Sequence, residues 1–190
     1  MADKLTEKAL DRNHLKSRRI GMEKIDFVLT WVDGSDPDWL AQRREYQPGR
    51  GTDAGESRYR DWDNLQYWFR GVEKFAPWVN KIYFVTWGHV PKWLNTAHEK
   101  IQIVKHEDFM APAYLPTFNI NSIELNLHRI KGLSEHFVFF NDDMFLIDSV
   151  KPEDFFKNGL PCDCCIETAL VQDNIRNPFA NILMNDAALV

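Results

Sequence analysis

Phe137-Val138-Phe139-Phe140-Asn141-Asp142-Asp143-Met144-Phe145 joins an apolar run to three polar groups, two of them adjacent carboxylates. β-Formers that stop abruptly on oxygen-bearing side chains describe a buried, central strand delivering ligands to the edge of a sheet. In open α/β sheets, ligands gather outside the carboxyl ends of the strands. Alternation along such a strand would put Asn141 and Asp143 on one side and Asp142 on the other. One carboxylate could then hold a hard divalent cation, Mg²⁺ or Mn²⁺, whose coordination substrate phosphates usually complete. The other could fix the neighbouring loop. The same triplet is ordinary turn chemistry, but the four apolar residues before it favour the ligand reading.

Two more apolar runs end on polar clusters, Asp33-Gly34-Ser35-Asp36 and Gly88-His89. Parallel strands would bring all three ends to one rim, which is how a nucleotide site is assembled. Arg60-Asp61-Trp62-Asp63 stands at a helix start, where Asp61 suits the N-cap and the positive end of the helix dipole. The guanidinium of Arg60 suits a diphosphate or a carboxylate. On a helix over residues 119–130, Asn121, Glu124 and His128 stack at i, i+3 and i+7, with Arg129 one step round. That face is either a solvated helix face or one wall of a cleft opposite Asp142 and Asp143. His128 near the helix end also answers the dipole, and His89 and His106 rank below it. Neither G-x-G-x-x-G nor G-x-x-x-x-G-K-[ST] occurs, which leaves a carboxylate-and-metal mode of diphosphate binding.

The elements that must position these groups follow from periodicity. Residues 25–32, 81–87, 101–104 and 137–140 read as buried strands. Asp36-Pro37 opens a helix through about Tyr46, as N-cap and first-turn proline. A glycine-rich loop over 47–58 is long enough to act as a flap. Trp62, Leu65, Trp68, Phe69, Val72 and Phe75 recur at helical spacing, between Asp61 and Pro77. Ile120, Ile123, Leu127 and Ile130 form the stripe of the 119–130 helix. Met144–Ile147 starts a further strand, residues 152–156 a short helix, and 162–170 a late strand. The order β-α-α-β-β-α-β predicts an α/β fold, Rossmann-like, with a mostly parallel sheet flanked by helices.

Composition is that of a globular chain: 190 residues, 44% hydrophobic and 27% charged. Seven Trp and thirteen Phe imply an aromatic interior or a carbohydrate-like binding surface. A net charge of −5 gives no footprint for nucleic acid. No apolar run approaches the about 20 residues of a membrane span. Residues 1–22, with Lys4, Lys8, Lys16, Arg18 and Arg19, lack the apolar core of a secretory signal. They read as a basic helical leader, solvated or touching the inner membrane face, and the expected location is cytoplasmic. Cys162, Cys164 and Cys165 include a C-x-x-C spacing without a second pair or a nearby His. They read as reduced, partly buried strand cysteines.

Thr30-Trp31-Val32-Asp33-Gly34-Ser35-Asp36-Pro37 resembles the first block of the Stealth family of sugar-phosphate transferases. A second block resembles Arg60-Asp61-Trp62-Asp63-Asn64-Leu65 and Ala76-Pro77-Trp78-Val79-Asn80-Lys81-Ile82-Tyr83. It continues through Leu115-Pro116-Thr117-Phe118-Asn119-Ile120-Asn121-Ser122-Ile123-Glu124, Leu127-His128-Arg129-Ile130 and Phe140-Asn141-Asp142-Asp143-Met144-Phe145. The motifs match in order over residues 25–161. The family includes bacterial capsule polymerases and the animal N-acetylglucosamine-1-phosphotransferase of lysosomal targeting.

The resemblance implies transfer of a hexose-1-phosphate from a UDP-sugar, typically a UDP-N-acetylhexosamine, to a hydroxyl of a glycan acceptor, with Mg²⁺ or Mn²⁺. A metal-dependent glycosyltransferase releasing UDP and an inactive sugar-nucleotide-binding module are the alternatives. Carried over by position, Asp142 and Asp143 would hold metal and diphosphate, with Arg60 and His128 among the catalytic groups. Asp33, Asp61, Asn119, Asn121 and Arg129 would line the donor site. The family continues into two further blocks, whereas residues 177–190, read as a helix, close on Ala187-Ala188-Leu189-Val190 without a glycine cap. The transferase domain, residues 23–190, is therefore expected to be incomplete, inactive and self-associating alone, with a complementing C-terminal chain as partner.

Overall fold

Four strands carry the molecule: β1 (Ile25–Thr30), β2 (Ile82–Thr86), β3 (Ile101–Lys105) and β4 (His136–Phe140). In the computed structural model, which describes residues 24–46, 59, 61–164 and 178–189, they form one sheet in the order β3-β2-β1-β4. All three pairings are parallel. Every residue of β1 and β2 is buried, as near-continuous apolar strands covered on both faces must be. The leader 1–22, the loop 47–58, Arg60, Cys165 and most of the 162–170 segment lie outside the described residues.

Side-chain alternation divides the core into two layers. Ile25, Phe27, Leu29, Ile82, Phe84 and Phe140 face α2 (Leu65–Phe75), which contributes Leu65, Trp68 and Val72. Val28, Tyr83, Val85 and Val104 face the other way, onto Ile123, Leu127 and Ile130. The ring of Phe27 meets those of Phe140, Trp78, Phe155 and Trp68 at centroid distances of 4.8, 5.7, 5.8 and 6.4 Å. Each such aromatic pair adds about 0.5–1.5 kcal/mol beyond area burial. Asp26, fully buried near the amino end of β1, accepts hydrogen bonds from Asn80 Nδ2 at 2.6 Å and the Ser134 amide at 2.8 Å. The expected α/β, Rossmann-like arrangement is the observed one.

Several elements depart from their expected bounds. β4 pairs with β1 alone among the described residues, so it is an edge strand, not a central one, and its first four residues are half-buried. α1 (Pro37–Tyr46) begins where Asp36-Pro37 predicts, and Asp36 Oδ1 accepts the Trp39 amide at 2.9 Å. The 62–76 helix starts three residues late. Asp61 Oδ1 accepts the Asp63 amide at 2.7 Å in an Asx-type turn, and Asp63 is left-handed with φ 52°. No α-helix can pass through that residue, so Trp62 is 73% exposed instead of joining the apolar stripe.

The 119–130 helix is broken. α3 spans Ile120–Glu124, and a separate 3₁₀ turn spans Leu127–Arg129. Asn126 Nδ2 takes the Ser122 carbonyl at 2.8 Å, the acceptor its own amide would need in a continuing helix, and that amide turns to Ile123 O. Ile120 is exposed, not part of the stripe.

Met144–Ile147 is irregular rather than a strand. It is followed by α4 (Pro152–Phe155) and a hairpin of β5 (Phe156–Lys157) and β6 (Leu160–Pro161). The hairpin turns on Asn158-Gly159 with φ of 57° and 78°, the positive pair a type I′ turn requires. Cys162 and Cys164 are exposed beyond it, not partly buried in a strand. α5 (Pro178–Leu189) forms close to its expected range and leaves Ile182, Leu183 and Met184 exposed. Among the described residues, no helix is long and apolar enough to cross a membrane.

Candidate functional site

Because the four strands are parallel, their carboxyl ends share one rim. The sheet order reverses at β1: β2 and β3 extend to one side, and the chain then crosses back to place β4 on the other. The crevice between the ends of β1 and β4 is thus the topological switch point, where open α/β sheets bind ligands. The Asp33–Asp36 loop forms one side of it and the Asn141–Asp143 segment the other.

On the β1 side the loop is held from several directions. Asp33 Oδ1 accepts the Ser35 amide at 2.9 Å and the Ser35 hydroxyl at 2.6 Å. Burial pushes the Asp33 carboxyl up, but the two Ser35 hydrogen bonds, the field of His89 and the Asp36 amide together outweigh it and hold the carboxyl below its ordinary range. Gly34 lies against the Tyr59 backbone; a Cβ there would collide with the Tyr59 carbonyl oxygen. Tyr59 in turn packs on Trp39 at 5.0 Å. The loop after β1 is thereby fastened to the segment that leads into Asp61. The Asp33 amide donates to His89 Nε2 at 2.7 Å, a bond from the β1 loop to the β2 loop. A Gly-His pair at a strand end is a weak signal in sequence, which places His89 below the other candidates there.

On the β4 side Asn141-Asp142-Asp143 is a turn, closed by the Met144 amide on Asn141 O at 3.2 Å. Strand alternation therefore does not govern these three side chains, because β4 has already ended at Phe140. All three are exposed. Although its side chain reaches solvent, Asp142 stands among enough protein that desolvation raises its pKa. The charges of Asp143 and Asp61 push the same way, against one local backbone hydrogen bond. Asp142 thus lies within the fields of both Asp143 and Asp61. Among the described residues, no group of three or more His, Cys, Asp or Glu side chains is close enough to enclose a metal ion. Two adjacent carboxylates facing solvent instead match a cation that keeps waters and takes its remaining ligands from a phosphate.

The other sequence-derived candidates are spread more widely. Asn119 caps α3, its Oδ1 accepting the Asn121 amide at 3.0 Å. Its neighbour Phe118 packs on Trp39 at 5.8 Å, which sets Asn119 beside α1. Asn121 is exposed on α3, and burial pushes the Glu124 carboxyl up. His128 and Arg129 are exposed on the 3₁₀ turn, past the break. The chain then descends to Gly132 and Ser134, which bond Tyr83 Oη and Asp26 near the amino ends of the strands. Asn121, Glu124 and His128 consequently do not form one helical face. Arg60 lies outside the described residues, between Tyr59 and Asp61 in sequence. A cavity of about 450 Å³ between α2 and residues 93–101, lined by Phe69, Val79, Ile82 and Trp93, belongs to the outer β3 side rather than to this rim.

A parallel sheet with carboxylates on both sides of its switch point defines a Rossmann-like α/β domain of the kind found in transferases. Residues 58–162 match Stealth protein CR2, conserved region 2, and residues 23–51 match Stealth protein CR1, conserved region 1. The chain belongs to the Stealth family. It is 58% identical over 142 residues to the capsular polysaccharide phosphotransferase WcwK of Streptococcus pneumoniae, covering 74% of this chain and 43% of that protein. It is 54% identical over 145 residues to the receptor polysaccharide phosphotransferase WefC of Streptococcus oralis, covering 74% and 44%. To the capsular polysaccharide phosphotransferase eps5J of Streptococcus thermophilus it is 49% identical over 170 residues, covering 87% and 70%. The chain spans less than half the length of the first two of these relatives.

Proposed function

We propose that this chain carries the donor-binding part of a phosphotransferase of capsular or exopolysaccharide synthesis. The reaction moves a hexose-1-phosphate, N-acetylhexosamine-1-phosphate foremost, from a UDP-sugar to a sugar hydroxyl. The observation that carries this reading is the Asp142-Asp143 pair on the turn after β4, in the field of Asp61 and beside the loop after β1 at the switch point. It is joined to relatives named as polysaccharide phosphotransferases. The names of those relatives support the reaction class, and the rim supports the site.

In this reading the acceptor oxygen attacks the β-phosphorus, the bond between that phosphorus and the α–β bridging oxygen breaks, and UMP leaves. Asp142 and Asp143 would hold Mg²⁺ or Mn²⁺, which when bound would offset the charge of the diphosphate. Asp33, Asp61, Asn119, Asn121 and Arg129 would contact the donor, with Arg60 supplying a guanidinium to its phosphates. The acceptor proton goes to a general base, for which His128 or one of the aspartates is eligible. Positioning and electrostatics supply most of the rate in such transfers.

The test is incubation with UDP-N-acetylglucosamine, Mg²⁺ and candidate glycan acceptors, with identification of the released nucleotide. Acceptor-dependent UMP supports the phosphotransferase. Release of UDP would instead make the protein a glycosyltransferase, and binding without release of either would make it a sugar-nucleotide-binding module. If a C-terminal partner chain is required, its addition should switch UMP release on.

A further inference from the structure

We infer that His89 is a positioning residue of the donor site: through an unprotonated Nε2 it fixes the backbone of the Asp33–Asp36 loop to the end of β2. The inference rests on the donor reading above for its consequence, but on geometry alone for the contact itself.

The Asp33 amide can only donate, so the 2.7 Å contact makes His89 Nε2 the acceptor. In the neutral ring the proton then sits on Nδ1. Nδ1 is buried without a hydrogen-bond partner among the described residues and faces Asp36 Oδ2 at 3.7 Å. One imidazole thus addresses both ends of the loop: the amide of Asp33 with one nitrogen, the carboxylate of Asp36 with the other.

The ring is itself clamped. It meets Trp31 edge-on at 5.2 Å and Trp87 at 5.7 Å, and its side chain is 12% exposed. Trp31 lies flat against Phe84 in the core, and Trp87 Nε1 donates to Gln42 Oε1 of α1 at 2.9 Å. Upstream, the Gly88 amide bonds Thr86 Oγ1 at 2.8 Å, so the turn that delivers His89 is fixed to the last residue of β2.

The bonds of Asp33 to Ser35 and of Asp36 to Trp39 are local and shape the loop. The His89 contact spans 56 residues and sets where that shape stands on the sheet. A residue that only filled space between Trp31 and Trp87 would need neither ring nitrogen. A site that must hold groups to within about 0.5 Å depends on such second contacts.

His89→Gln and His89→Phe separate the possibilities, because a glutamine oxygen reaches about where Nε2 lies, while phenylalanine keeps the shape and removes the acceptor. Two readouts are taken on thermally characterised protein: hydrogen exchange of the Asp33 amide by NMR, and titration with UDP-N-acetylglucosamine and Mg²⁺. The expected result is a protected Asp33 amide in the parent and in His89→Gln, with donor affinities within about threefold of each other. In His89→Phe the protection is lost and affinity falls about tenfold or more, at a melting temperature close to that of His89→Gln. Equal exchange of the Asp33 amide in parent and His89→Phe would overturn the clamp, and a parent that binds the donor no better than His89→Phe does, with measurable affinity in both, would overturn the positioning role. Failure of His89→Gln to restore either readout would overturn the assignment of Nε2 as acceptor. If the parent binds no UDP-sugar while the contrast in amide exchange persists, the donor reading falls and the clamp stands.

Discussion

The two sides of the switch-point crevice carry the same kind of side chain in opposite condition. After β1, Asp33 and Asp36 spend their oxygens on the Ser35 amide and hydroxyl and on the Trp39 amide, and Asp33 is held as a carboxylate. Around the turn after β4, desolvation first, and then the charges of Asp143 and Asp61, disfavour the charge of Asp142. Asp26, at the other end of β1, shows how this fold treats a carboxylate kept for structure: it is buried and receives two N–H groups. Folding alone gives no reason to gather like charges on an exposed turn, since they oppose it. Unfavourable charge at the place where α/β sheets bind ligands supports the cation site proposed above.

The comparison yields a ladder of expected effects. The largest is Phe140→Ala, which removes the last β4 side chain from its contacts with Phe27 and Trp68 and should cost about 3–5 kcal/mol in denaturant unfolding. Next is Gly34→Ala. The new methyl must displace the Tyr59 backbone, so a loss of about 1–3 kcal/mol is expected, with weakened donor binding measured by calorimetry. Asp36→Ala removes the α1 cap and should cost about 1 kcal/mol.

Asp142→Asn should go the other way. The group is held above its ordinary pKa, so removing its charge should leave the melting temperature unchanged or higher while donor binding is lost. A clear drop in melting temperature would place Asp142 among the structural carboxylates and erase the contrast.

Acid titration adds a smaller, diffuse test on the structural side. His106 is pushed down to about 4 by burial and then by repulsion from His89, and His89 is lowered by burial against the pull of Asp36 and Asp33. Both fold as neutral rings. Their contribution is fully present above the ordinary histidine pKa of about 6.5 and is lost as pH falls from there towards about 4. Thermal melts across that window should show the decline, and His106→Phe should flatten it.

What the sequence disclosed follows from which signals are local. The apolar runs of β1, β2 and β3 and the stripe Leu65-Trp68-Val72 are repeated many times over, so strands, helices and sheet direction were legible. The Asx-type turn at Asp61–Asp63 and the Asn126 side chain that ends α3 each hang on one polar group choosing a backbone partner, and periodicity is blind to that. Asn158-Gly159 is a hairpin signal in the sequence, and the hairpin it makes stands before the late strand expected over 162–170. The Asn141-Asp142-Asp143 triplet was visible as a strand end, but not its proximity to Asp61, which lies 81 positions earlier and depends on the sheet. The His89 contact was beyond reach for the same reason: a bond between two loops exists only once β1 and β2 are paired.

On the reading proposed above, the open acidic side of the crevice is a cation–diphosphate site. Calorimetric titration of UDP with Mn²⁺ or with EDTA, on the parent and on the Asp142→Asn, Asp143→Asn double variant, tests it most directly. Mn²⁺-dependent binding is expected in the parent, with at least a tenfold loss, about 1.4 kcal/mol, in a double variant that melts no lower. Binding in the double variant equal to the parent's, or parent binding that is the same in EDTA, would contradict it.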